Sequence, residues 1–370
     1  MLSVNSLKQM CLNKVATSCF KAKEMLEVIK INDALRTIIY VGYESVLDSK
    51  VSEKISEILP IKSLQDELLR IIRVWKCAAI VWKLIRGIEE VDLADFSWSM
   101  GTIDKLETAQ TIVENCNIDI KKRFLLACEY SLEDNVRELW ELMSSEEKSR
   151  LRRNTLPRDA KIWLDIVKRK RMNENWLQKQ KRKLCCFAFC TGNSQAVQNL
   201  LKNCSVSEKK HKLKKFSENF EVSYDIFLFY ISMLDRDTKM NLLRKNVQLT
   251  LLSCLDWPWQ NLIVDTIHHL RDSVSDYDYF VLLISVMYKI FFKWENFDYV
   301  NLFNDIWQNS PVTMKEEAKG HDMYPYIVIL LKRGPYVFRN AFARNSNFNT
   351  LATTFIECCL HKNFEKFSLS

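Results

Sequence analysis

Glycine and proline are too scarce in this chain to build a fold rich in tight turns. Each occurs six times in 370 residues, a combined share well below the roughly 12% of an average protein. Tight β-turns draw on glycine for positive φ and on proline for a preset φ, so an all-β sandwich or barrel lacks its punctuation here. The glycines stand at 42, 87, 101, 192, 320 and 334, never closer than 14 residues to one another. That spacing excludes Gly-x-Gly-x-x-Gly and P-loop phosphate cradles, and also the Gly-x-Ser-x-Gly nucleophile elbow.

Apolar residues instead recur at helical spacing along most of the chain. In "LLRIIRVWKCAAIVWKLI", Leu68, Ile71, Ile72, Trp75, Ala79, Trp82 and Ile85 fall on one stripe. Helix starts are marked by "SEK" at 52, "SLED" at 131 and "SEEK" at 145, where a serine can cap and acids follow in the first turn. With 48% hydrophobic and 11% aromatic residues, there is apolar surface enough to offset chain entropy and form a core. The fold class expected is all-α, with stacked helical hairpins forming an α-solenoid-like array.

The N-terminal "MLSVNSLKQMCLNKVATSCF" lacks the apolar run of a signal peptide, since Lys8, Asn13 and Lys14 interrupt it. The longest uncharged apolar run, "YFVLLISVMY" at 279–288, is bounded by Asp278 and Lys289. It falls short of the roughly 20 residues that span a bilayer and reads as a buried helix. Twelve cysteines spread over this length, without small-scaffold spacing, read as reduced, packed thiols of the cytoplasm or nucleus. No Cys-x2-4-Cys pair of knuckles or His-Glu-x-x-His motif is present. Neither a metal, a cofactor nor a small-molecule substrate is therefore expected, and no catalytic residue is assigned.

Comparing the chain with itself is more informative. "KKRFLLACEYSLEDNVRELWELMSSEEK" at 121–148 aligns without a gap onto "RKLCCFAFCTGNSQAVQNLLKNCSVSEK" at an offset of 61. Ala127 falls on Ala188, Val136 on Val197, Leu139 on Leu200, Ser144 on Ser205 and Glu147 on Glu208. Each copy reads as helix, short polar turn, helix. Fainter echoes begin at 253, 294 and 340. Ala188, Gly192, Val197, Leu200 and Leu201 are spaced in a way that resembles the helix-turn-helix of an ankyrin repeat. The ankyrin Thr-Pro-Leu-His signature is replaced by Lys183-Leu184-Cys185-Cys186. The resemblance implies paired helices with an alanine between them, a tight glycine turn, and a surface that binds other proteins. Under the offset, Cys185, Cys186 and Cys190 fall on Phe124, Leu125 and Glu129, which reads the thiols as small core hydrophobes.

The charge distribution is the sharpest functional signal. Residues 150–215 hold nineteen Lys or Arg and four Asp or Glu, or +15, leaving −7 on the rest of a chain whose total is +8. Lys168, Arg169, Lys170 and Arg171 form one cluster, Lys181, Arg182 and Lys183 lie in a second, and Trp176 stands between them. Three readings stay open. Such a segment can dock an acidic surface, resemble a bipartite import signal, or neutralise phosphates with release of counterions. The expected organisation is an N-terminal helical region at 1–115, ankyrin-like hairpins at 116–215 with the basic segment 150–215, and a C-terminal helical repeat region at 216–370. The expected function is a non-enzymatic scaffold that binds a protein partner, with nucleic acid as the alternative.

Overall fold

The computed structural model describes residues 7–22, 25, 46–99, 101–153, 155–169, 173–217, 222–255, 259–292, 294 and 297–343. They are all-α apart from one small ribbon. In chain order the helices are α1 (Leu7–Lys21), α2 (Val46–Ile58), α3 (Lys62–Arg86), α4 (Lys105–Glu114), α5 (Ile120–Glu129), α6 (Glu133–Leu142), α7 (Ser145–Arg153), α8 (Arg158–Val167), α9 (Glu174–Cys190) and α10 (Ser194–Leu200). There follow α11 (Val206–Ser217), α12 (Tyr224–Ser232), α13 (Arg236–Lys245), α14 (Val247–Cys254), α15 (Ile263–Leu270), α16 (Asp276–Phe291), α17 (Tyr299–Asn309), α18 (Val312–Ala318) and α19 (Tyr324–Phe342). The ribbon pairs β1 (Trp98–Ser99) with β2 (Thr102–Ile103). No helix among the described residues is long and apolar enough to cross a membrane.

The stripe read in α3 is buried at Leu68, Ile71, Ile72, Trp75, Ala79 and Trp82, but Ile85, in the last turn, is 74% exposed. In α16 the run at 279–288 is core as expected, with Tyr279, Leu282, Leu283, Val286, Met287 and Tyr288 buried. Its entry is fixed by a capping box between Ser275 and Asp278. The three expected helix starts are displaced, with Ser131 closing the preceding helix rather than capping α6. Ser52 lies inside α2, and the serine that caps α7 is Ser144 rather than Ser145. Helix α11 occupies most of the strongly basic stretch 203–215.

The described residues divide into two compact units. One comprises 7–77, 101–102 and 236–343, and the other 78–99 and 103–235. In the first unit the helices from α14 to α19 close around Leu283, Met287, Phe303, Ile306, Ile327 and Phe338. There α19 is broken at Gly334, whose φ of 77° and ψ of 178° are non-helical and precede Pro335.

The second unit carries the internal alignment, and its hydrogen bonds recur at the same offset of 61. Leu132 N donates to Ala127 O at 2.9 Å, and Asn193 N to Ala188 O at 2.8 Å. Ser131 N donates to Cys128 O and Gly192 N to Phe189 O, both at 3.1 Å. In each case a left-handed residue ends the first helix in a Schellman-type turn and satisfies its last carbonyls. Beyond the second helix, Ser144 and Glu147 form a capping box, and Ser205 and Glu208 repeat it. The two hairpins also touch. Asn193 Nδ2 donates to Glu129 O at 2.9 Å and Asn199 Nδ2 to Ser131 O at 2.7 Å. Helix α8 packs against α5, α6 and α9, with Trp163 fully buried. A fainter correspondence reaches the first unit. Lys148 bonds Glu141 O and lies 5.3 Å from the Trp140 ring, while Lys315 bonds Gln308 O and lies 5.7 Å from the Trp307 ring.

Candidate functional site

Two features of the second unit stand out: a basic face and a cavity beside the two hairpin turns. The basic face is built on α8 and α9. Lys168 is the C-cap of α8, and Lys168 and Arg169 are both exposed. The Arg169 guanidinium lies 4.1 Å from the centroid of the half-buried Trp176 ring, a cation–π contact. Lys181 pairs with Glu133 at 2.7 Å, Lys183 donates to Gln180 Oε1 at 3.2 Å, and Arg182 is exposed. Among the described residues Lys168, Lys179 and Arg182 make no ion pair. Lys170 and Arg171 lie outside the described residues. The two clusters are thus carried by adjacent elements, but their members differ in role.

Lys181 anchors the face rather than presenting free charge. Burial pushes the Glu133 carboxyl up, but hydrogen bonds from Lys181 and Arg137 together outweigh it and hold that carboxyl below its usual range. At the other end of α9 the thiols separate. Cys185 is buried, as its alignment with Phe124 implies, and burial pushes it up to about 12. Cys186 is half-buried, and Cys190 is exposed, so the reading of Cys190 as core is corrected. As the last residue of α9 it takes the place of Glu129, which is itself only half-buried.

The cavity, of about 500 Å³, is lined by the end of α3, by α5 and α9 with their turns, and by Asp159 of α8. Sequence reasoning missed it because its parts are far apart in the chain. Arg86 reaches Glu129 across 43 residues, bonding Glu129 through Nε at 3.1 Å and through Nη2. The same guanidinium donates to Tyr130 Oη at 3.2 Å and lies 4.3 Å from the Trp82 ring, while Trp82 Nε1 donates to Tyr130 Oη at 3.1 Å. Burial raises the Glu129 carboxyl against the pull of Arg86, and it raises the Tyr130 hydroxyl beyond titration near neutrality.

Asp159 differs from the other charges there. Lys105 pairs with Asp225 at 2.9 Å and Lys122 with Glu90 at 2.8 Å, whereas Asp159, only 8% exposed, has no ion-pair partner and its Oδ1 accepts no hydrogen bond. Burial raises its carboxyl, opposed by the backbone N–H groups of Ala160 and Asp159. One sequence signal marks it: an acid on the apolar stripe of α8, beside Ala160, Ile162, Trp163 and Ile166. No protein-family model matches the chain, and no curated protein matches its sequence.

Proposed function

We propose that this chain is a non-enzymatic helical-repeat scaffold of the cytoplasm or nucleus, built in part from ankyrin-like hairpins, that holds an acidic protein partner against the α8–α9 face. The observation that carries the reading is that Lys168, Lys179 and Arg182 are solvent-facing cations without an acid partner among the described residues. An acidic partner neutralises them, and complementary charge of this kind speeds encounter and sets register more than it adds raw affinity. Twelve cysteines spread along the chain without small-scaffold spacing support a reducing compartment.

A protein partner is favoured over nucleic acid by the state of Trp176. Single-stranded nucleic acids stack their bases on open aromatic faces, and here the Arg169 guanidinium already covers the ring. The test is fluorescence anisotropy of the purified chain with labelled RNA and DNA oligonucleotides at about 50 and about 200 mM salt. The reading expects affinities no tighter than the non-specific range, roughly 10⁻⁴ to 10⁻⁶ M, at the higher salt. Sub-micromolar binding there that is lost in Trp176→Ala overturns it in favour of a nucleic-acid interface.

A further inference from the structure

We propose that a cleft in the first unit binds an anion carrying two or more phosphate groups, held by Arg236, Lys239 and Arg244. The cleft shares no residue with the α8–α9 face. Its volume of about 850 Å³ lies within the range of small-ligand sites. Helix α13 provides most of the described wall, with Arg236, Lys239, Met240 and Arg244, and His269 enters from α15. Both helices pack against α14. Arg236, Met240 and Arg244 follow at intervals of four, so they stand along one side of α13. His269 Nδ1 donates to Asp265 O at 2.6 Å, which fixes the ring and leaves Nε2 as the nitrogen open to a ligand.

The charges select the class of ligand. Arg236 and Arg244 are exposed and Lys239 is half-buried, and among the described residues none of the three makes an ion pair or a side-chain hydrogen bond. The wall holds one acid, Asp237, which pairs with none of them. The cleft therefore carries a positive charge that the fold leaves unbalanced. Like charges around one hollow repel, and an anion bound among them removes that repulsion. A guanidinium presents its donors in a planar fork that matches two oxygens of one phosphate. Eight residues of helix separate Arg236 from Arg244, a rise of about 12 Å. A single orthophosphate meets both forks only if the two side chains fold toward each other, whereas linked phosphates take one fork each. A soluble polyphosphate and a phosphoinositide headgroup share this chemistry.

The test is isothermal titration calorimetry of the full chain with tripolyphosphate, with orthophosphate, and with citrate, a polyanion of carboxylates. Tripolyphosphate should bind at least 10-fold more tightly than either of the others, and Arg236→Gln and Arg244→Gln should each weaken it by roughly 10-fold or more, the effect of losing a hydrogen bond to a charged group. Lys214→Gln, an exposed cation on α11, should leave it unchanged. Both arginines are exposed and unbonded, so their variants should unfold at the wild-type temperature. Sedimentation with phosphatidylcholine vesicles, with and without phosphatidylinositol bisphosphate, distinguishes the source. Tripolyphosphate binding without co-sedimentation assigns the cleft to a soluble polyphosphate, and co-sedimentation that is lost in Arg244→Gln assigns it to a headgroup. Absence of tripolyphosphate binding at about 1 mM, equal binding by both arginine variants, an equal loss in Lys214→Gln, or citrate bound as tightly overturns the proposal.

Discussion

Ser131 and Gly192, 61 residues apart, occupy the same left-handed position at the end of the first helix of a hairpin, with φ of 53° and 73°. Only one of them is a glycine. The left-handed conformation costs a residue with a Cβ roughly 1–2 kcal/mol, whereas glycine adopts it freely at the expense of about 0.4–1 kcal/mol of extra unfolded-chain entropy. The first term wins at Ser131. Ser131→Gly should stabilise the chain by about 0.5 kcal/mol in urea unfolding.

Gly192→Ala should act in the opposite direction. Besides the conformational cost, the new Cβ would stand 2.8 Å from Ser223 Oγ. That hydroxyl caps α12 by accepting from Ile226 N, so it cannot retreat without loosening the cap. A loss of about 2 kcal/mol is expected in the same assay.

Asn193 does two jobs at once. Its Oδ1 accepts from Ala196 N at 3.0 Å as the N-cap of α10, and its Nδ2 donates to Glu129 O in the other hairpin. Asn193→Asp keeps the cap but removes the donor, leaving one helix-end carbonyl short of a partner. Stability should fall by about 1 kcal/mol. Asn193→Ala, which loses both bonds, should cost about 2 kcal/mol.

Tyr130→Phe isolates the polar cluster on α3 and α5. The lost hydroxyl accepts from Trp82 Nε1 and Arg86 Nη2, and Trp82 is buried. Leaving its indole N–H unsatisfied should cost about 1–3 kcal/mol. Thermal unfolding followed by near-UV circular dichroism reads both the loss and the local packing.

Acid should act on two groups of carboxyls with opposite sign. Backbone and side-chain bonds from Ser144 hold Glu147 low, and those from Ser205 hold Glu208 low. Their contribution is full above an unfolded value of about 4.5 and is lost as the pH falls through the lowered folded values. Asp159 lies above its unfolded value of 3.8 because burial raises it. It opposes folding at neutral pH, and that cost is relieved as the pH falls through the raised range. Asp159→Asn should therefore raise the midpoint of thermal unfolding at pH 7, with the advantage vanishing near pH 3.5.

Much of this arrangement is legible in the sequence, for identifiable reasons. The 61-residue offset aligns residues whose backbone bonds are local, such as Ala127 with Leu132 and Ser144 with Glu147, and local bonds follow from local sequence. Serine at 131 misleads, because it reads as a cap for "SLED" yet closes the preceding helix, leaving Leu132 as an N-cap without a side-chain bond. The basic clusters are visible as charge, but which cations are spent on neighbours is not. Lys181 finds Glu133 only once α9 is placed against α6, and Arg169 finds Trp176 only once the end of α8 is placed against α9. The cavity is the least legible part, since Arg86, Glu129 and Asp159 converge from three helices.

The most direct measurement places a photo-crosslinking amino acid at Lys179 and, separately, at Arg182 in the full chain expressed in cells, with a control at Glu316. The scaffold account predicts that the same protein is captured from both basic positions, that it carries an acidic surface, and that Lys168→Glu abolishes the capture. Capture of nucleic acid from both positions, or of the same species with equal yield from Glu316, contradicts it.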